Sequence, residues 1–215
     1  MRLVELNHVI EHGTVTYKGL PAPVICDFLS REASRGNYEA GTEFQIGRID
    51  MVSNTGTYLD TPFHRYADGA DLAGVGLEQV TQLPGQVVRC AGPEVGPEAF
   101  AGLNVAGHAV LVHTGWDRHW GSEAYFTGHP FLTEAAARFL RDAGAALVGI
   151  DSHNIDDTAG NARPVHTVLL GAGIPIVEHL ANLAALPDTG FTFNAPPPRV
   201  RGMGTFPVRA HALVA

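Results

Sequence analysis

The chain has 215 residues, 45% of them hydrophobic and 17% charged, and a formal net charge of −8. That length supports one substantial core and is short for two, and the composition suits a well-buried domain rather than a disordered one. The charges are scattered, with no basic cluster to track a phosphate backbone, so nucleic acid is not an expected partner; nor is a membrane, because the N-terminus lacks a long apolar core and runs such as Ala145 to Ile150 are far too short to span a bilayer.

No repeat, low-complexity tract or linker divides the sequence, so residues 1–215 read as one domain. Gly (25) and Pro (14) are spread throughout, as expected of many short elements joined by tight turns. Cys26 and Cys90 form no CxxC, lie in apolar stretches and are expected to be reduced core thiols, which fits a cytoplasmic protein. In chain order, Phe44 to Val52 alternates and predicts a strand. Gln86 to Cys90 and Ala109 to His113 predict two more. Thr133 is placed to cap a helix running through Ala135, Ala136, Phe139 and Leu140 to Gly144, where glycine suits a C-terminal turn. Ala145 to Ile150 predicts a buried strand. A short helix is expected after Pro164, covering Val165 to Leu170 and stopping at Gly171, and Ile174 to Val177 is a further apolar run. The strand–helix–strand order predicts a mixed α/β fold.

Glu178 stands out on physical grounds. It follows four residues that should be buried, and a carboxylate there is costly unless paired, bound to metal or at a mouth opening to solvent. His64 carries the side chain best suited to acid–base work near neutral pH. Asp60, alone, would read as a turn former before a Thr-Pro step. The sequence holds no GxSxG elbow, Walker A loop or HExxH, and Gly171-Ala172-Gly173 follows a helix instead of opening one.

The segment Asn54-Thr55-Gly56-Thr57-Tyr58-Leu59-Asp60-Thr61-Pro62-Phe63-His64 resembles the HxGTHxDxPxH signature of the metal-dependent cyclase family, which includes bacterial kynurenine formamidases and isatin hydrolases. Asp60, Pro62 and His64 match; Asn54 and Tyr58 stand where the signature has histidines. Further segments resemble the family in its order: 112–116, 149–152, 164–166, 174–183 and 202–210. The resemblance implies a swivelling β/β/α domain with a mixed sheet and short helices, assembled as a homodimer or homotetramer. It implies a hydrolase acting on an amide, lactam or lactone carbonyl of a small molecule. It also implies metal ligation by Asp60, His166 and Glu178, with His64 as the acid–base group.

Replacing two imidazoles by an amide and a phenol removes the best nitrogen donors. One histidine and two carboxylates suit a single Mn, Zn or Fe ion better than a pair of ions, with His113 and His153 as candidate substitutes for the lost ligands. If no metal is held, two alternatives follow: a metal-independent acid–base enzyme, or a non-catalytic binding member. Tyr58 could then donate a hydrogen bond to a developing oxyanion, with Asn54 orienting the substrate. Phe63, Tyr66, Trp116 and Trp120 are the expected specificity side chains.

Overall fold

A computed structural model describes residues 1–215. Thirteen short strands carry the architecture: β1 (Arg2–Glu5), β2 (Val24–Leu29), β3 (Ile46–Asp50), β4 (Tyr58–Asp60), β5 (Leu83–Arg89), β6 (Glu94–Val95), β7 (Ala109–His113), β8 (Phe131–Leu132), β9 (Leu147–Ile150), β10 (Ile176–Glu178), β11 (Phe191–Asn194), β12 (Thr205–Pro207) and β13 (His211–Val214). Three helices accompany them, α1 (Arg31–Ser34), α2 (Glu134–Asp142) and α3 (Pro164–Gly171). Nine strands form one mixed sheet in the order β1-β13-β11-β5-β7-β9-β10-β4-β12. β5, β7, β9 and β10 run parallel, and the flanking strands are antiparallel. The mixed α/β architecture is the one the sequence pattern implies.

Period-two alternation divides the core between the two faces of this sheet. Leu111, Leu147, Val177 and Leu59 point to one face, where they join Val4, Phe193 and Ala212 from the far strands. Because strands from both ends of the sheet feed one cluster, the sheet curls around it. Val110, Val112, Val148, Ile150 and Ile176 point to the other face, under Leu140 of α2 and Val165 and Leu169 of α3. Thr133 caps α2 as expected, its side chain accepting from the Ala136 N–H, and Gly144 supplies the left-handed turn that follows (φ 79°).

Two expectations need correction and a third needs placing in the fold. Asp60 is not a turn former but the last residue of the short, fully buried strand β4, which pairs with β10 on one side and β12 on the other. The Phe44–Val52 strand exists as β3, but it pairs only with β2 in a separate two-stranded ribbon, and every residue of β3 is exposed. Cys26 lies on that ribbon and is exposed, so it is no core thiol; Cys90 is half-buried, and burial pushes its thiol up to about 11.

Candidate active site

The site grows from sheet register. Antiparallel pairing sets Tyr58 of β4 opposite Glu178 of β10 and Asp60 opposite Ile176, while β12 sets Thr205 opposite Asp60. Tyr58, Asp60, Glu178 and Thr205 all lie on the α3 face, spread along the length of β10. Beyond β4, Pro62 to His64 form one tight helical turn, with the His64 N–H donating to the Thr61 carbonyl (2.9 Å).

His64 belongs to a short relay. The Thr205 hydroxyl donates to Asp60 Oδ1, and its oxygen lies 2.8 Å from His64 Nδ1. A carboxylate only accepts, so the threonine proton goes to Asp60 and the threonine oxygen must accept from His64 Nδ1–H. That tautomer leaves Nε2 with a free lone pair. His64 retains 36% side-chain exposure, whereas Asp60 is fully buried.

His166 is held the same way from another direction. Asp156, fully buried, accepts the first free N–H groups of α3 from Val165 (2.7 Å) and His166 (3.1 Å), and also the His166 Nδ1 proton (2.6 Å). His166 Nε2 therefore faces inward, 3.7 Å from Asp60 Oδ2 and 3.8 Å from Glu178 Oε1. Burial alone would lower the His166 pKa, but the hydrogen bond to Asp156 and the nearby carboxylates of Asp60 and Glu178 outweigh it and raise it to about 10. Burial, helped by the Asp60 charge, pushes the Glu178 carboxyl up to about 7. Asp60 Oδ2 is buried without any hydrogen-bond partner. These features describe a pocket floor that demands a positive charge.

Donor atoms of Asp60, His64 and His166 all lie within 4.8 Å of one another, a spacing that suits a metal ion. Glu178 stands just behind this group. Its Oε1 accepts from the Ile155 N–H (2.6 Å), and its Oε2 accepts from the Tyr58 hydroxyl (2.7 Å) and from Asn154 Nδ2 (3.4 Å). The structure thus brings Asp60, His166, Glu178, His64 and Tyr58 together, and Asn54 lines the same cleft. The cleft encloses about 450 Å³ and is completed by Tyr17, Lys18, Gly19, Leu20, Arg65, Asn154 and Arg163.

Tyr58 does not present a free hydroxyl. Its proton goes to Glu178, its oxygen lies 3.3 Å from His179 Nε2, and His179 Nδ1 lies 2.8 Å from the Tyr125 hydroxyl. The ordering of protons that satisfies every member runs Tyr125 to His179 to Tyr58 to Glu178. Burial holds His179 neutral, with its pKa well below the usual value, and its backbone sits in the left-handed region at φ 55°, a conformation a non-glycine residue adopts only under constraint. Removing the Tyr58 hydroxyl should strand both Glu178 and His179. The expected result for Tyr58→Phe is a loss of about 1–3 kcal/mol in stability by urea titration; an unchanged midpoint would reduce Tyr58 to ring packing.

Neither His113 nor His153 belongs to the Asp60–His64–His166 group. His113 lies between Arg89 (3.0 Å) and Asp151 (3.8 Å), outside the cleft. His153 stacks on Tyr17 among Tyr125, Phe126, His129 and His179, and burial drops its pKa to about 4. The expected specificity residues Phe63, Tyr66, Trp116 and Trp120 also miss the cleft. Tyr66 donates to the Thr167 carbonyl, Trp116 to that of Tyr125, and Trp120 stacks on His8, because each anchors a loop behind the site. Sequence reasoning missed Thr205, Asp156 and His179. Asp156, eight residues before the Pro164-started helix, gave no local capping signal.

Residues 4–157 match the family model described as "Putative cyclase". The chain belongs to this cyclase family. It is 28% identical over 180 residues to the kynurenine formamidase of Geobacillus thermodenitrificans (strain NG80-2), covering 82% of this chain and 84% of that one. Among solved structures it resembles isatin hydrolase A from Labrenzia aggregata bound to benzyl benzoate, with a TM-score of 0.83, 23% identity and coverage of 99% and 93%. It also resembles a structure described as a predicted metal-dependent hydrolase from Bacillus stearothermophilus, with a TM-score of 0.78, 25% identity and coverage of 98% and 97%. The cyclase-family fold has room for the relay and the buried carboxylates because β4 and β10 deliver them to one face. No helix of the chain is long and apolar enough to cross a membrane.

Proposed function

We propose that this cyclase-family chain is a hydrolase that cleaves an amide, lactam or lactone carbonyl of a small molecule bound in the 450 Å³ cleft. The observation that carries the reading is the His64–Thr205–Asp60 relay, which engages His64 Nδ1 and leaves Nε2 outside the relay on a residue that lines the cleft. From there it can accept a proton from an attacking water and return it to the leaving nitrogen or oxygen. The formamidase among its relatives and the metal-dependent hydrolase among the solved structures support the same class.

The donor set fits one divalent ion of the Mn, Zn or Fe kind. Asp60 with its orphaned Oδ2 and His166 with its pinned ring are the principal ligands, Glu178 or His64 completing the set. When bound, such an ion would polarise a carbonyl and lower the pKa of water. A second ion is disfavoured because the Tyr58 hydroxyl already occupies Glu178 Oε2, and Asn54 supplies only an amide. Elemental analysis of untagged protein should give at most one ion per chain. Two tightly held ions would refute this assignment, and none would favour the metal-independent alternative, in which the His166 imidazolium supplies the positive charge.

We also propose that the chain forms at least a homodimer through the β2–β3 ribbon. Val24, Ile25, Phe28, Ile46 and Ile49 of that ribbon are exposed, Phe28 by 74%, as is Phe44 just before β3. An isolated two-stranded ribbon is marginal in water. The apolar area on offer is on the order of 500 Å² or more, large for a monomer and comparable to one side of a stable interface. Phe28→Asp with Ile49→Asp should shift a dimer to monomer in sedimentation, and a wild-type monomer at micromolar concentration would end the proposal.

A further inference from the structure

The cleft mouth carries an unbalanced charge that the hydrolytic chemistry does not use. Although the chain as a whole is acidic at −8, Lys18, Arg65 and Arg163 line the cleft, whereas its carboxylates are buried in the floor: Glu178, hydrogen-bonded on both oxygens, and Asp60 beside His166. Lys18 is neutralised by Glu123 at 3.0 Å. The two arginines pair with no carboxylate. Arg65 makes only a long contact from Nε to Thr167 Oγ1 (3.5 Å) and lies over the Tyr66 ring at 5.4 Å.

Arg163 is the better-defined group. The two protons of its Nη1 are shared among the carbonyls of Ala162 (2.7 Å), Gly160 (2.9 Å) and Asp157 (3.2 Å), which fixes the guanidinium plane against the turn before α3. Every one of these bonds uses Nη1. Nε and Nη2, whose N–H groups point the same way as a parallel fork, have no partner. That edge is the one that grips a carboxylate through two hydrogen bonds. A guanidinium already pinned on its other side loses little freedom when it binds, so the recognition is pre-organised.

We propose that the substrate of this site bears a carboxylate besides its scissile carbonyl, and that Arg163, aided by Arg65, binds it at the cleft mouth. This specificity rests on the hydrolase reading above, but the anion subsite can be tested without turnover. A carboxylate there would also hold the scissile bond at a set distance from His64, which lines the same cleft.

Two probes differing by one group make the test: 2-formamidobenzoate, which carries a carboxylate, and formanilide, which does not. The ratio of their kcat/KM values should favour the carboxylate, and Arg163→Gln should lower that ratio by about tenfold or more. Arg65→Gln should lower it in the same direction, and serves if the Arg163 variant disturbs its turn. An unchanged ratio in both variants would overturn the proposal, because it would leave the arginines with no role in recognition. Calorimetric titration of the wild-type chain with benzoate and benzamide separates the two levels. Benzoate binding that Arg163→Gln weakens about tenfold upholds the anion subsite even if neither formamide is hydrolysed, in which case it is the hydrolase reading that fails. Equal binding of both probes, or no benzoate binding at millimolar concentration, rejects the subsite whatever the activity.

Discussion

His64→Ala is expected to lower turnover by roughly 10²- to 10⁴-fold on any amide or lactone substrate found by screening, with the fold intact. The imidazole is partly exposed and packs no core, so circular dichroism and the melting temperature should stay close to wild type. What is lost is the cleft-lining imidazole whose ring Thr205 and Asp60 orient. Metal content measured on the same variant distinguishes two roles. If the ion is retained, His64 acts on protons. If ion and activity disappear together, His64 is the third ligand beside Asp60 and His166, as their 4.8 Å grouping permits. Full activity in the variant would remove His64 from the mechanism.

The second large effect is expected at a residue with no side chain. A Cβ added to Gly204 would stand 2.3 Å from His64 N, 2.5 Å from His64 Cα and 2.8 Å from Phe63 C. All three are backbone atoms, so no rotamer change relieves the clash. The carbonyl of Gly204 also accepts from the Thr61 N–H (2.7 Å) and hydroxyl (3.0 Å), which ties the two segments together. Gly204→Ala should therefore displace the turn that carries His64. We expect a destabilisation on the order of 3 kcal/mol, about 6–12 °C in Tm, together with a loss of turnover of about 10²-fold from misplaced geometry. Gly36→Ala, where a Cβ meets nothing within 4 Å, is the control and should be silent. A Gly204→Ala variant with wild-type melting and activity would show that the close approach is unimportant.

The parts of this molecule legible in the sequence are those where a local rule acts alone. Thr133 caps α2, Pro164 starts α3, and Ala109 to His113 form a strand because alternation or capping decides each without help from distant residues. Asp60 before a Thr-Pro step suggests a turn, yet pairing with β10 and β12 makes Tyr58 to Asp60 a buried strand. The same limit applies at the site. Glu178 was conspicuous as a carboxylate after a buried run, and it is indeed only 1% exposed. Thr205, 145 residues from its Asp60 partner, gave no such signal, because its role depends on register alone. The ribbon misled in the opposite sense: alternation in Phe44 to Val52 predicts a strand but cannot say whether its apolar positions meet the chain's own core.

Asp156 joins two events that are usually separate. The same carboxylate satisfies the opening N–H groups of α3 and pins the ring of His166. A swing of the imidazole breaks its bond to the carboxylate that anchors the first turn of its helix, and fraying of that turn loosens the carboxylate that holds the imidazole. A donor that would otherwise sample several rotamers is delivered in one orientation as soon as the chain has folded. Its ordering entropy is thereby charged to folding and not to capture of a cation or substrate. The geometry of the site is inherited from the secondary structure beneath it.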